Sequence, residues 1–225
     1  MTAKVVVVCN QKGGSGKTTV SMQLAGAFHR RGYRSLVIDA DPQNTATRWA
    51  ASASDEKPFP APVIGLSAAG GKVHREVAKF IDNYDVILVD CPPAADSLIP
   101  QSALLVADLA LVPLLPSPLD LWASVGIREV IDQVSNINQS LQSLLVVNQC
   151  QPNTKLAKEV VEILSDFGIP LSSVVLRQRT AYRQAAIFGQ TVHDLDSAAK
   201  PAVAEVEELT DEVCRVLNLP ARKIT

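Results

Sequence analysis

Residues 4–28 pass from "KVVVVC" through "NQKGGSGK" into "TTVSMQLAGAF", and few folds accommodate that succession. Four consecutive valines suit a strand covered on both faces rather than one with a wet side. Gly13, Gly14 and Gly16 then let the backbone turn tightly before a helix begins. The rhythm continues, because "RSLVID", "DVILVD", "DLALVPLL", "SLLVVNQ" and "SSVVL" are short aliphatic runs separated by helix-length amphipathic stretches. This alternation predicts βαβ units in an α/β fold, a doubly wound and mostly parallel sheet flanked by helices. Right-handed crossovers place the strand C-termini, and any chemistry, along one edge.

Apolar residues at three and four spacing predict helices over "TTVSMQLAGAFHRRG", closed by Gly32, and over "GKVHREVAKFIDNY" and "DLWASVGIREVIDQVSN". Two more are expected over "TKLAKEVVEILSDFG", closed by Gly168, and "PAVAEVEELTDEVCRVLN". Pro113, Pro116 and Pro118 require the strand in "LALVPLL" to end near Leu115, with a rigid turn into a helix starting near Leu119. Residues 51–72 are rich in Ala, Ser, Pro and Gly and read as an irregular excursion with one short strand. With 225 residues and no long linker, the expectation is a single domain over residues 1–219 and a flexible tail over 220–225.

The apolar run at the start covers only five positions, too few for a signal segment or a membrane span, so a cytosolic protein is expected. Cys9, Cys91, Cys150 and Cys214 are scattered without a C-x-x-C pair and read as reduced core thiols rather than a zinc or redox site. A net charge of −2 means that any nucleic-acid binding must come from a local patch.

Residues 11–18 follow a strand and open a helix, the context that a phosphate-binding loop requires. Glycine N–H groups turn inward around an anion, and the helix N-terminus adds its dipole. Lys17 is then expected on the β- and γ-phosphates and Thr18 on magnesium. Magnesium needs oxygen ligands from neighbouring strand ends. Asp39 and Asp41 in "LVIDADPQ" and Asp90 in "VILVDCPP" each follow an apolar run. A single strand-end Asp is usually a cap or turn former, but three together point to a metal and nucleotide site.

These residues resemble the ParA/MinD family of deviant Walker A ATPases: K-G-G-x-G-K-[ST] at Lys12 to Thr18, D-x-D-P-Q at Asp39 to Gln43, and Asp90 followed by Pro92 and Pro93. The resemblance spans about the first 190 residues by motif order. "PLLPSPLDLWA" and "LRQRTAYRQA" look most like the small, ParF-like partition ATPases. The resemblance implies ATP or ADP with magnesium as cofactors and an ATP-bound homodimer. It makes Lys12 the signature lysine that reaches the partner's phosphates, Lys17 the phosphate lysine in cis, and Asp41 the carboxylate that positions the attacking water. Asp90 would hold magnesium through water, with Asp39 touching the ion's ligands or its waters. Gly13, Gly14, Ser15, Gly16, Thr18 and Thr19 complete the nucleotide contacts; Asn148 would touch adenine, and Arg177, Gln178 and Arg179 would line the other side of the base. Trp122 would anchor the dimer face.

Relatives of this kind divide by partner. A membrane-bound version should end in a basic amphipathic helix, whereas "EVEELTDE" at 205–212 carries five acids and no base. The phosphate loop begins at residue 11, which leaves no room for an N-terminal helix-turn-helix, so site-specific DNA reading is not expected. What remains is non-specific DNA binding through Arg177, Arg179 and Arg183, in a stretch with no acid from Ser172 to Thr191, with Lys155 and Lys158 as extensions. The same arginines are also compatible with a solvated helix face. The expected protein is thus a cytoplasmic, nucleoid-associated, slow ATPase that positions a plasmid or protein body with a ParB-like or equivalent adaptor. The alternatives are an ATP-controlled interaction switch without DNA binding and, from the same fold, a metabolic ATP-dependent ligase.

Overall fold

A computed structural model describes residues 2–93, 97–151, 167–220 and 222. Strands β1 (Lys4–Val8), β2 (Ser35–Asp39), β3 (Val63–Gly65), β4 (Val86–Asp90), β5 (Leu109–Leu114), β6 (Gln142–Cys150) and β7 (Leu171–Arg177) form one sheet in the order β3-β2-β4-β1-β5-β6-β7. Every pair is parallel, as the all-apolar strands require. The short strand expected within 51–72 is β3.

Side chains alternate along each strand, so the sheet divides the core in two. Val6 and Val8 pack with Leu24 and Phe28 of α1 (Lys17–Arg30) and with Val206, Leu209 and Val213 of α8 (Lys200–Val216). Val5 and Val7 pack on the other face, with Ala103 and Leu104 of α4 (Leu98–Leu104) and with Ile127 and Ile131 of α6 (Val125–Ser135). All four cysteines are buried free thiols.

The chain also forms α2 (Thr45–Ala51), α3 (Val73–Val77), α5 (Pro118–Ala123) and α7 (Thr180–Ile187). The helix expected over "GKVHREVAKFIDNY" shrinks to α3, preceded by a 3-10 segment at Ser67–Lys72 and followed by turns. The helix expected over "DLWASVGIREVIDQVSN" divides at Ser124 (φ −91, ψ −2) into α5 and α6. Its hydroxyl donates to the Asp120 carbonyl at 2.8 Å and accepts from Asn10 Nδ2 at 3.1 Å, so a tertiary bond holds the break. β5 stops at Leu114 and α5 opens at Pro118, with Ser117 accepting from the Asp120 N–H at 3.2 Å. Most of "TKLAKEVVEILSDFG" lies outside the described residues; its last two positions are a buried Phe167 and Gly168 at φ +82. Arg222, expected in a flexible tail, lies over the Tyr33 ring at 4.2 Å and donates to the Gly32 carbonyl at 2.7 Å.

From β1 the chain moves to β2 on one side, and it later crosses to β5 on the other. The C-terminal end of β1 is therefore the switch point where ligands bind in open α/β sheets. Register finishes the arrangement, since Val8 and Asp39 both stand opposite Asp90. At the sheet margins, β3 has three residues, and β7 has its outward N–H groups at Ser173 and Arg177 taken by Glu212 (3.1 Å) and Glu205 (3.2 Å) of α8.

Candidate functional site

The loop from Asn10 to Gly16 leaves β1 at this switch point. Gly14 (φ +78) and Gly16 (φ +92) adopt left-handed backbone, where a side chain would add strain. Gly16 is also the N-cap of α1, and no side chain caps that end and no acid occupies the first turn. The α5 N-terminus, by contrast, is capped by Ser117. An uncapped helix end behind a glycine loop offers its N–H groups to an anion.

Lys17 is buried, and its ammonium donates to the Lys12 carbonyl at 3.1 Å. Burial pulls its pKa down; Asp90, Cys91, Asp41 and Cys9 oppose that pull. Beside it, burial pushes the Cys9 thiol up to about 12 and Cys91 well above its ordinary value, so both remain neutral. Lys12 is exposed, and its side chain has no hydrogen-bond or ion-pair partner among the described residues. Its backbone is fixed, since its N–H donates to Asn10 Oδ1 at 3.2 Å. Asn10 in turn donates to the Pro113 carbonyl (2.9 Å) and the Ser124 hydroxyl (3.1 Å), which ties the loop to the α5–α6 junction.

Thr18 donates to Asp90 Oδ2 at 2.6 Å, while Asp90 Oδ1 is buried without a hydrogen-bond partner. An orphaned carboxylate oxygen beside a threonine hydroxyl is a donor set that suits a hard divalent cation such as magnesium. Among the described residues there is no group of three or more His, Cys, Asp or Glu fit to hold a metal alone. A cation here would share its shell with water and phosphate, as magnesium commonly does.

Burial raises the Asp90 pKa to about 7, with Asp39 and Asp41 adding to the rise against the Thr18 hydrogen bond and Lys17. Its folded value thus lies above its unfolded one, so the folded, ligand-free chain keeps a proton that the unfolded chain has released. The stability held by this group is therefore fully present below about pH 4 and is lost as pH rises towards about 7. Asp90→Asn, which keeps the acceptor for Thr18 and removes the charge, is expected to stabilise the ligand-free protein at pH 8 by about 2 kcal/mol, roughly 4–8 °C for a chain of this size. Thermal scans should show that advantage vanish near pH 4; an advantage independent of pH would contradict the buried-charge account.

Asp39 is wholly buried with both oxygens engaged: Oδ2 accepts the Thr47 N–H and hydroxyl, both at 2.8 Å, and Oδ1 accepts the Asp41 N–H at 3.3 Å. It serves as a remote cap for α2, whose own N-cap Asn44 supplies no side-chain bond. Asp41 Oδ1 accepts the Gln43 N–H at 2.9 Å, a tight turn that holds Asp41 between Asp39 and the loop. Expected from the resemblance as an indirect or water-mediated partner of magnesium, Asp39 forms hydrogen bonds that build the turn presenting Asp41.

Asn148, at the end of β6, donates from Nδ2 to the Ser15 carbonyl at 2.7 Å, and neighbouring Gln149 donates to the Gly14 carbonyl at 2.9 Å. Next to them opens a cavity of about 180 Å³ lined by Thr19, Asn148, Gln149, Gln178 and Tyr182. Arg177, Arg179 and Arg183 border the same cavity. They differ in pairing, because the half-buried Arg179 guanidinium donates to Glu205 (3.0 and 2.7 Å). Arg177 and Arg183 are exposed and form no ion pair among the described residues. Lys155 and Lys158 lie outside the described residues. Sequence reasoning missed Asn10, Ser124 and Gln149; the available signal was a polar residue directly after a long apolar strand, at "VVCNQ" and again at "VVNQC".

Comparison with known proteins agrees with this geometry. The protein named "Maintenance of carboxysome distribution protein A" of Halothiobacillus neapolitanus is 34% identical over 211 residues, covering 94% of this chain and 96% of its own. "Protein ParA" of Rhizobium radiobacter is 27% identical over 213 residues, covering 90% and 91%. The ATP complex of a Cyanothece McdA variant superposes with a TM-score of 0.79 at 17% identity, over 98% of each chain, which is a likeness of fold. The family described as "CobQ/CobB/MinD/ParA nucleotide binding domain" matches residues 6–192. Glycine loop, parallel sheet and matched span agree: the chain belongs to the CobQ/CobB/MinD/ParA nucleotide-binding domain family.

Proposed function

We propose that the chain is a single-domain partition or positioning ATPase that dimerises around ATP, binds DNA without sequence choice in that state, and is released when an adaptor stimulates hydrolysis. The observation that carries this reading is the meeting of Lys17, Thr18, Asp41 and Asp90 around an uncapped glycine loop, with Lys12 beside it and its ammonium paired with no group among the described residues. The names of the H. neapolitanus and R. radiobacter relatives support the positioning role. No helix among the described residues is long and apolar enough to cross a membrane, and a cytoplasmic, nucleoid-associated protein is consistent with that.

In this reading, loop N–H groups and Lys17 bind the β- and γ-phosphates, and Thr18 and Asp90 hold magnesium, which when bound neutralises charge on the transferred group. Asp41 orients the attacking water, held in place by Asp39. Lys12 reaches the partner's phosphates, so hydrolysis requires two copies. Leu119 (69% exposed), Trp122 (68%) and Val125 (43%) form an apolar face on α5 and α6, joined to the loop through Asn10 and Ser124, and a second copy is its occupant. The cavity beside Asn148 and Tyr182 takes the adenine ring.

Arg177 and Arg183 supply the phosphate contacts of the DNA-bound state. Gel retardation of non-specific duplex is expected with ATP and not with ADP, with affinity falling steeply with salt. Arg177→Ala should lower the log-affinity against log-salt slope by about one per arginine in contact and leave dimerisation intact. If no binding occurs with ATP at low salt, the interaction-switch reading replaces this one; the engagement of Arg179 by Glu205 is the observation that favours it.

A further inference from the structure

The end of β6 presents a backbone anomaly with a purpose. Gln149 has φ +52, left-handed backbone that a residue with a Cβ enters at a cost of about 1–2 kcal/mol. Its N–H is held by the Asn148 Oδ1 at 2.9 Å, and this tight turn sends both side-chain amides towards the phosphate loop. They donate to two consecutive carbonyls, Asn148 to Ser15 and Gln149 to Gly14. The approach is so close that a Cβ on Gly16 would overlap the Asn148 amide.

In a trans peptide the C=O and the following N–H point in opposite directions. Drawing the Gly14 carbonyl towards β6 therefore turns the Ser15 N–H away from β6, and drawing the Ser15 carbonyl likewise turns the Gly16 N–H away. We propose that Asn148 and Gln149 are positioning residues that set the polarity of two successive peptides of the loop, so that their N–H groups face the phosphates of a bound nucleotide. This inference rests on the nucleotide reading above and assigns Gln149 to the phosphates although its side chain also borders the cavity meant for the base. Such preorganisation of donors is what an anion-binding loop requires, because an inward-facing carbonyl would repel the phosphate.

The test separates the amide from the fold. Gln149→Gly removes the amide and relieves the left-handed strain, so its unfolding midpoint should equal or exceed that of the parent chain. Its affinity for nucleotides should nevertheless fall about five- to tenfold, the loss of one hydrogen bond acting on a charged ligand. Dissociation constants for ATP, ADP and GTP, measured by competition with a fluorescent ADP, should all rise together and leave the ATP-to-GTP preference unchanged. Gln149→Ala should show the same loss without the gain in stability. Unchanged affinity in both variants, or a collapse of the ATP-to-GTP preference pointing to contact with the base, would overturn the proposal. If the parent chain itself binds neither ATP nor ADP, the nucleotide reading fails first and takes this inference with it.

Discussion

Lys12→Ala is expected to bind ATP as the parent chain does while its turnover falls by at least about a thousandfold, the lower margin for loss of a cation supplied in trans to a phosphoryl group. The substitution is unusually clean. Both structural duties of Lys12 belong to its backbone, an N–H held by Asn10 and a carbonyl that receives the Lys17 ammonium, and alanine keeps both. Its ammonium contacts no other group among the described residues, so truncation should alter stability by no more than about 0.5 kcal/mol. Phosphate release measured beside nucleotide titration separates the two effects. Turnover equal to the parent's would remove Lys12 from the reaction and leave an ordinary single-chain phosphate loop.

Asp41 carries the second large effect. Asp41→Ala is expected to slow hydrolysis by about two to four orders of magnitude, the span attributed to a positioned general base or water-orienting group, and to accumulate the ATP-bound dimer. Alanine also removes the acceptor for the Gln43 N–H, a loss of about 1 kcal/mol of local order. Asp41→Asn keeps that acceptor and removes only the charge. Slow turnover in both variants, with a dimer seen by light scattering in ATP, isolates the carboxylate; normal turnover in Asp41→Asn would assign the chemistry to another group.

The sheet was legible in the sequence because its strands are buried on both faces, and aliphatic runs such as Val5–Val8 and Val86–Val89 announce that state without neighbours. The loop was legible because left-handed backbone at Gly14 and Gly16 demands glycine. Features made by contacts across the chain were not. Periodicity runs unbroken through "DLWASVGIREVIDQVSN", and the break at Ser124 depends on Asn10, 114 positions away. Counting bases found three arginines, but no local count shows Glu205 drawing Arg179 inward from 26 residues on. The resemblance implies Asn148 near adenine, but nothing local to it shows that its Nδ2 group also holds the Ser15 carbonyl. Short α2 and α4 lack the length for a helical period to emerge, and α2 relies on Asp39 for its cap.

The acidic helix α8 has a consequence for assembly. With Glu205 and Glu212 occupying two outward N–H groups of β7, and with β3 only three residues long, both margins of the sheet are poor templates for strand addition from another molecule. Under the proposed function, self-association would then use the nucleotide face, where a two-fold contact closes on itself instead of propagating into a fibre. If the proposed nucleotide cycle holds, a chain that assembles and comes apart at each turn would be arrested by one irreversible β-pairing, and two glutamates oppose that pairing along β7.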